Sequence, residues 1–233
     1  MTGGEPVRLR SKRNLVEKVP LPGGGWGVRK DFGENREGYR TELAVVRRLE
    51  GAGIRAAPVL RAEEPVILYR WLPGETLCDL LEQAEEDSVR EKRLFRALPG
   101  LCRWLGGFYA AAGGLILGDA HLRNFLLLPG GEIAGVDFEA CRPGPREEDA
   151  ARLAVFTLTY DPALTEKKRR LASRLLQCCC RELGLDLPAL EKALGDQLAG
   201  LCGRRGLPPE VRQAYQKAVD RLLAVVEYLP AYK

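Results

Sequence analysis

Histidine, methionine and paired cysteines are scarce in this chain. Among 233 residues there is one histidine, His121, and one methionine. The seven cysteines include no CxxC pair, so a structural zinc site would need thiolates scattered over the whole chain. An odd cysteine count, with three in a row at 178–180, also argues against a disulfide framework and favours buried thiols in a reducing compartment.

Long apolar runs and a strong excess of one charge are missing as well. The N-terminal residues lack the apolar core of a signal peptide. The longest uncharged stretch, 104–118, is interrupted by glycines and falls short of the roughly 18 apolar residues of a membrane helix. The net charge of +4 is too small to argue for a nucleic-acid partner. We therefore expect a globular, cytoplasmic protein with no membrane span.

The first seventy residues predict a small sheet around one helix. Short strand-like runs at 7–10, 15–19 and 26–32 include a pair joined by a proline- and glycine-rich turn, which is typical of a hairpin. From Gly38 the period changes to that of an amphipathic helix, which glycines end near residue 51. Two more short strands follow, around 58–60 and 65–69.

Helical patterns dominate beyond Gly74, with a break expected near Pro99 and Gly100. Two short apolar runs at 125–128 and 133–138 predict a second hairpin, and the chain reads as helical from 147 onward. The sequence thus predicts an α+β fold of two lobes: residues 1–70 as a small antiparallel β-sheet lobe with one helix, and residues 71–233 as a larger, mainly helical lobe.

Three polar side chains flank the second hairpin. Asp119 and Asn124 lie on either side of one turn before it, and Asp137 ends its second strand. Carboxylate and amide oxygens are ligands that suit Mg²⁺, which keeps sites free for phosphate oxygens.

This spacing resembles that of the kinase-like phosphotransferases, in their aminoglycoside phosphotransferase-like or lipopolysaccharide-kinase-like branch. Their pattern is HGDxxxxN followed by a strand that ends in IDF or IDW. The resemblance covers about residues 7–156 and implies a bilobal, protein-kinase-like fold. It also implies that Asp119, Asn124 and Asp137 are catalytic, that Asn124 and Asp137 are the metal ligands, and that Asp149 braces the catalytic loop.

The resemblance also implies a nucleotide-binding site in the small lobe. Lys30, in a Val-x-Lys strand, and Glu42, on the following helix, would form the ion pair that positions the phosphates of ATP. The segment from Tyr69 through Arg70 to Trp71 looks like the hinge whose backbone binds adenine. ATP and Mg²⁺ are therefore the expected cofactors.

Several positions leave alternatives open. Leu117 stands where the family has the histidine of HGD, and no GxGxxG precedes Lys30. Residues 11–14 are the alternative for a phosphate-covering loop. Arg29 competes with Lys30 for the inward position of its strand, and Glu42 could be a surface residue. His121 and Arg123 could reach a transferring phosphoryl group, or His121 could be structural.

The implied activity is transfer of the γ-phosphate of ATP to a hydroxyl group of a small, possibly sugar-like acceptor. Only residues 138–146 separate Asp137 from the next helix, too few for the activation segment that docks peptides in ordinary protein kinases. The basic stretch 167–181 disfavours a polycationic drug and suits an anionic acceptor. A compact atypical protein kinase or ATPase, like the kinase subunit of the KEOPS complex, and a pseudokinase scaffold remain the alternatives.

Overall fold

A five-stranded antiparallel sheet forms the first lobe in the computed structural model, which describes residues 5–11 and 13–227. Its strand order is β1-β2-β3-β5-β4. The strands are β1 (Val7–Arg8), β2 (Leu15–Pro20), β3 (Trp26–Asp31), β4 (Val59–Glu63) and β5 (Val66–Arg70). The hairpin predicted between the second and third runs is confirmed, with Leu15 opposite Asp31 and Pro20 opposite Trp26.

One amphipathic helix, α1 (Arg36–Gly51), packs on this sheet. The Asn35 side chain accepts a hydrogen bond from the Gly38 N–H and so satisfies one of the free donors of the first turn. The buried face of α1 includes Glu42, Val45, Val46 and Leu49. A carboxylate among three apolar residues needs a partner, and the site described below supplies it.

The second lobe holds the other six α-helices of the described residues. They are α2 (Leu77–Ala84), α3 (Ser88–Ala112), α4 (Arg146–Thr159), α5 (Glu166–Leu183), α6 (Leu187–Arg205) and α7 (Pro209–Glu227). The predicted break near Pro99 is wrong, because α3 continues through this proline. Leu98 and Leu101 on either side of it are fully buried, so packing outweighs the hydrogen bond that proline cannot donate.

Short strands complete the second lobe between α3 and α4. The predicted second hairpin is confirmed as β8 (Phe125–Leu127) and β9 (Ile133–Gly135), and β8 also pairs with β6 (Glu75–Thr76) to make a three-stranded sheet. A two-stranded sheet of β7 (Leu115–Ile116) and β10 (Arg142–Pro143) was not predicted. A short 3-10 helix, Leu122–Asn124, precedes β8.

An aromatic cluster under the second hairpin joins the lobes. Trp104 on α3 stacks on Phe138 at 6.3 Å between ring centres and meets Phe125 edge to face at 5.4 Å. Its indole Nε1 donates to the carbonyl of Arg55 at 2.7 Å, in the segment between α1 and β4. Phe138, the residue after Asp137, is therefore held in place by its buried stack with Trp104.

The α+β class, with a small antiparallel sheet and a mainly helical remainder, is confirmed. The division at residues 70 and 71 stays a prediction. Across the ranges 5–11 and 13–227, no helix combines the length and the apolar character needed to cross a membrane.

Candidate active site

The ammonium group of Lys30 is the centre of a cluster that draws on both lobes. Its Nζ lies 2.6 Å from Glu42 Oε2, 2.7 Å from Asp137 Oδ1 and 3.2 Å from Glu139 Oε2. Lys30 and Glu42 come from β3 and α1, whereas Asp137 and Glu139 follow β9. The predicted pair of Lys30 and Glu42 is thus in contact, and Asp137 joins it.

Strand alternation decides which basic residue of β3 faces this cluster. Val28 and Lys30 lie on one face of the strand and Arg29 on the other. Lys30 is 6% exposed, and Arg29 instead pairs with Glu17 and Asp31 near the surface.

The charge state of the cluster follows from its geometry. Burial disfavours the charged ammonium, but Glu42, Asp137 and Glu139 outweigh that penalty and raise the pKa of Lys30. Burial also raises the pKa of Glu42, against the attraction of Lys30 and a hydrogen bond from the Tyr69 hydroxyl. Lys30 is therefore held in its protonated form among carboxylates.

Asp137 points into the cluster from a bent backbone. Its φ of 66° lies in the left-handed region, which few residues other than glycine adopt. This conformation costs about 1–2 kcal/mol, and it occurs where the strand ends and the carboxylate turns toward Lys30. Backbone strain of this kind clusters at functional sites.

Three carboxylates of the cluster lie close enough together to share one cation. One oxygen each of Glu42, Asp137 and Glu139 lie within 4.8 Å of one another. The backbone of Asn124 lies beside the residue before Asp137, because its main-chain carbonyl accepts from the Val136 N–H. Oxygen donors of this kind fit Mg²⁺, with Lys30 balancing part of the charge.

Glu139 is a member of the cluster that the sequence did not predict, and its partner Asn14 belongs to the segment 11–14 considered as a phosphate-covering loop. The side-chain amide of Asn14, in the loop before β2, donates to Glu139 Oε2 and so connects the two lobes. The position of Glu139, two residues after Asp137 at a strand end, was the signal available in the sequence. Of the proposed phosphate loop 11–14, Lys12 lies outside the described residues.

The loop predicted to be catalytic, residues 117–124, is held by Asp149 from the first turn of α4. Its carboxylate accepts from the Leu117 N–H at 2.7 Å, the Gly118 N–H at 3.0 Å and the Tyr109 hydroxyl at 3.1 Å. Burial raises the pKa of Asp149 to about 6, against these three hydrogen bonds. The bracing contact expected of Asp149 is present, and Leu117, in place of the family's histidine, is buried in the apolar core.

Asp119 and Asn124 are close at opposite ends of this loop. The amide Nδ2 of Asn124 donates to the carbonyl of Asp119 at 2.9 Å. The Asp119 carboxylate is 38% exposed and forms an ion pair with Arg152 of α4. His121 Nε2 lies 3.8 Å from Asp119 Oδ2, and burial lowers the pKa of His121. Arg123 points away, toward Cys78 and Glu82 of α2.

The predicted hinge comprises the last two residues of β5, Tyr69 and Arg70, and Trp71 directly after it. The Tyr69 side chain is buried and its hydroxyl donates to Glu42 Oε1 at 2.7 Å. The Arg70 N–H donates to the Pro58 carbonyl and the Trp71 N–H to the Trp26 carbonyl. These two N–H groups already have partners, so adenine would have to use other backbone groups here. Lys18 lies 4.1 Å from the centre of the Trp71 ring.

Comparison with known proteins bears on the family and the fold of this chain. Residues 79–179, which include Asp119, Asn124 and Asp137, match the sequence model of APH, the phosphotransferase enzyme family. This match, over 101 of the 233 residues, supports a similarity to the kinase-like, aminoglycoside phosphotransferase-like superfamily.

A solved structure shows the same fold. Amicoumacin kinase, in complex with AMP-PNP, Ca²⁺ and Ami, aligns with a TM-score of 0.56 at 15% identity, covering 94% of this chain and 88% of that chain. No curated protein matches the sequence.

Proposed function

We propose that the protein is an ATP- and Mg²⁺-dependent phosphotransferase that moves the γ-phosphate to a hydroxyl group of a small acceptor. The observation that carries this proposal is the closure of Glu42, Asp137 and Glu139 around the single ammonium of Lys30. A base candidate, Asp119, stands on the adjoining loop. The complexed amicoumacin kinase, which holds a nucleotide, a divalent ion and a small molecule, supports the same reading.

The residues of this chain divide the work of phosphoryl transfer. Lys30 binds the α- and β-phosphates, and Glu42, itself held by the Tyr69 hydroxyl, keeps Lys30 in place. Asn124 and Asp137 would hold Mg²⁺, together with Glu139. The bound ion would supply positive charge to the phosphate oxygens.

Asp119 acts on the acceptor. The acceptor's hydroxyl oxygen forms a bond to the γ-phosphorus, the bond from that phosphorus to the β-bridging oxygen breaks, and ADP leaves. The hydroxyl proton passes to the carboxylate of Asp119, which is open enough to meet a small molecule. Alignment and charge carry most of this reaction, so rigid placement of the loop by Asp149 matters.

Adenine would bind to the backbone of the segment from Tyr69 to Trp71. Since the N–H groups of Arg70 and Trp71 have partners, it would use other backbone groups of this segment. The reaction would take place in the cytoplasm, in keeping with seven cysteines that are all free thiols.

The test compares two aspartates in one assay. Wild type, Asp119→Ala and Asp137→Ala are incubated with labelled ATP, Mg²⁺ and a panel of sugars, amino alcohols and casein, and nucleotide binding is measured by calorimetry. We expect Asp119→Ala to lose turnover and keep nucleotide affinity. Asp137→Ala should lose Mg²⁺-dependent nucleotide binding. Asp196→Ala, at an exposed position on α6, is the matched control and should behave like wild type.

Four results would contradict the proposal. Equal turnover by Asp119→Ala would remove its base, and unchanged nucleotide binding by Asp137→Ala would remove its metal ligand. Nucleotide binding by wild type without turnover on any acceptor would favour the pseudokinase alternative, and phosphorylation of casein alone would favour the protein kinase.

A further inference from the structure

The guanidinium group of Arg152 forms an ion pair with Asp119, the proposed base. Arg152, one turn into α4, reaches across to Asp119 Oδ1 with Nη2. Its Nη1 donates to Gln197 Oε1 on α6 at 3.3 Å. The guanidinium carbon lies 4.9 Å from the centre of the Phe156 ring, one helical turn further along the same face. Arg152 therefore lies where α4, α6 and the catalytic loop meet.

The environment of Arg152 is one that holds an anion. The side chain is 19% exposed, and its Nε is buried without a hydrogen-bond partner among the described residues. A desolvated guanidinium is costly unless an anion faces it. Its fork of donors matches a carboxylate or a phosphate with two parallel hydrogen bonds.

Other acids of α4 are engaged elsewhere and do not neutralise Arg152. Glu147 accepts from the Asp186 N–H, Glu148 pairs with Arg142, and Asp149 braces the catalytic loop. His121, the nearest titratable group of the loop, has a pKa lowered by burial and adds no negative charge. Asp119 is thus the acid that balances Arg152.

This pairing conflicts with the role of Asp119 during turnover. An acceptor hydroxyl that bonds to Asp119 competes with Arg152 for the same carboxylate. Once the acceptor hydroxyl has displaced Arg152 from Asp119, the half-buried guanidinium needs another anion as its partner. The acceptor is the molecule that enters the site at this point, so it can supply that anion.

We propose that Arg152 is an acceptor-binding residue, and that the natural acceptor carries a carboxylate or phosphate group close to the hydroxyl that is phosphorylated. The anionic group of the acceptor forms the ion pair with Arg152 in place of Asp119. The Asp119 carboxylate is then free to receive the hydroxyl proton. The inference rests on the proposed function and narrows its substrate to anionic hydroxy compounds. A polycationic acceptor would meet a cation of the same sign at this point.

A competing role for Arg152 is contact with the transferring phosphoryl group. That role would serve every acceptor equally, since the γ-phosphate is common to all of them. If Arg152 binds the acceptor, its replacement should lower the affinity for anionic compounds and leave the affinity for neutral ones unchanged. The two roles are therefore separable by the charge of the acceptor.

The experiment uses matched probes that differ in charge: glycerol, D-glycerate and sn-glycerol 3-phosphate, and glucose, gluconate and glucose 6-phosphate. Each is titrated into the full chain with Mg²⁺ and AMP-PNP, and the Nε–H signal of Arg152 is followed by NMR. Calorimetry gives the affinities for wild type, Arg152→Gln, Arg152→Lys and the control Arg103→Gln, an exposed position on α3.

We expect at least one anionic probe to shift the Arg152 signal and to bind more tightly than its neutral counterpart. Arg152→Gln should bind that anion about 10- to 100-fold more weakly, as for a lost charged hydrogen bond. Arg152→Lys should recover part of the affinity, and Arg103→Gln should match wild type.

The proposal is overturned if no anionic probe binds, if neutral and anionic probes bind alike, or if Arg152→Gln binds anions as well as wild type does. Equal loss of turnover on all acceptors, with anion affinity unchanged, would assign Arg152 to the phosphoryl group instead. Anion binding in a protein that never turns over ATP would leave this subsite in place and reject the kinase activity, so the two proposals fail separately.

Discussion

The Nζ of Lys30 lies 2.7 Å from Oδ1 of Asp137, a residue 107 positions further along the chain. Lys30 belongs to the small sheet and Asp137 to the segment that follows the second hairpin, so this contact joins the two lobes. A phosphate chain that enters here would meet the lysine and the carboxylate proposed to bind the metal side by side.

Removal of the central cation should disable catalysis and unbalance the carboxylates. Lys30→Met is expected to lower turnover about 10²- to 10³-fold, the usual loss for a group that stabilises developing charge. The three facing carboxylates should then repel one another, so Mg²⁺ should raise the melting temperature of the variant more than that of wild type. Arg29→Met, on the outer face of the same strand, is the control. An identical Mg²⁺ response in wild type and Lys30→Met would count against the metal site.

The same variant should acquire a pH dependence from Glu42. Burial raises the pKa of this carboxyl, and Lys30 opposes that rise. Without the lysine, folded Glu42 binds a proton more readily than unfolded Glu42 does, so the free energy of unfolding falls as pH rises through the folded pKa. Urea unfolding from about pH 5 to pH 8 should show a steeper decline for Lys30→Met than for Lys30→Met combined with Glu42→Gln. Parallel curves would rule out Glu42 as the source.

Replacement of Glu139 should weaken Mg²⁺ binding more than it lowers the stability of the fold. Glu139→Gln keeps the shape of the side chain and removes its charge, and we expect Mg²⁺-dependent nucleotide affinity to fall about 10- to 100-fold. Glu132→Gln, in the exposed turn of the second hairpin, is the control. Calorimetric titration of nucleotide at several Mg²⁺ concentrations measures the effect, and unaltered Mg²⁺ dependence would exclude Glu139 from the site.

Asp149 should titrate near neutral pH. Its folded pKa of about 6 exceeds the ordinary value of 3.8, so the folded protein binds more protons than the unfolded chain between these values. The contribution of Asp149 to the free energy of unfolding is then largest at low pH and declines as pH rises through about 6. The side-chain ¹³C shift should report that midpoint, and Asp149→Asn should abolish the decline. A midpoint near 4 would contradict the buried environment.

Gly118 should not tolerate a side chain. A Cβ there would overlap the carbonyl oxygen of Ala140, and φ is +70°. Gly118→Ala is expected to cost about 2–4 kcal/mol from backbone strain and overlap together. Gly114 offers a matched control, since its φ of +87° is similar in kind but nothing lies within 4 Å of its Cβ position. Gly114→Ala should lose only the backbone part, and equal losses in the two variants would show that the contact with Ala140 is harmless.

Local patterns in the sequence predicted the parts of the site that depend on a single element. Val28 and Lys30 share a strand face because strands alternate, and Glu42 falls on the buried face of α1 because helices repeat every 3.6 residues. The sequence spacing between Asp119 and Asn124 matches the loop motif of the kinase-like phosphotransferases.

Contacts between remote segments could not be predicted in this way. Asn14 and Glu139 are 125 residues apart, and Arg152 meets Asp119 only because α4 packs beside the catalytic loop. The continuity of α3 through Pro99 likewise depends on the apolar neighbours of Leu98 and Leu101, which a local propensity does not include.

The positions of the three tryptophans give the enzyme built-in optical reporters. Trp26 and Trp71 flank the Lys18 ammonium at the hinge, and Trp104 stacks on Phe138 directly after Asp137. Indole emission should therefore register adenine at one end of the cleft and metal-bound phosphates at the other, without an attached dye. Single Trp→Phe replacements would tell the two signals apart.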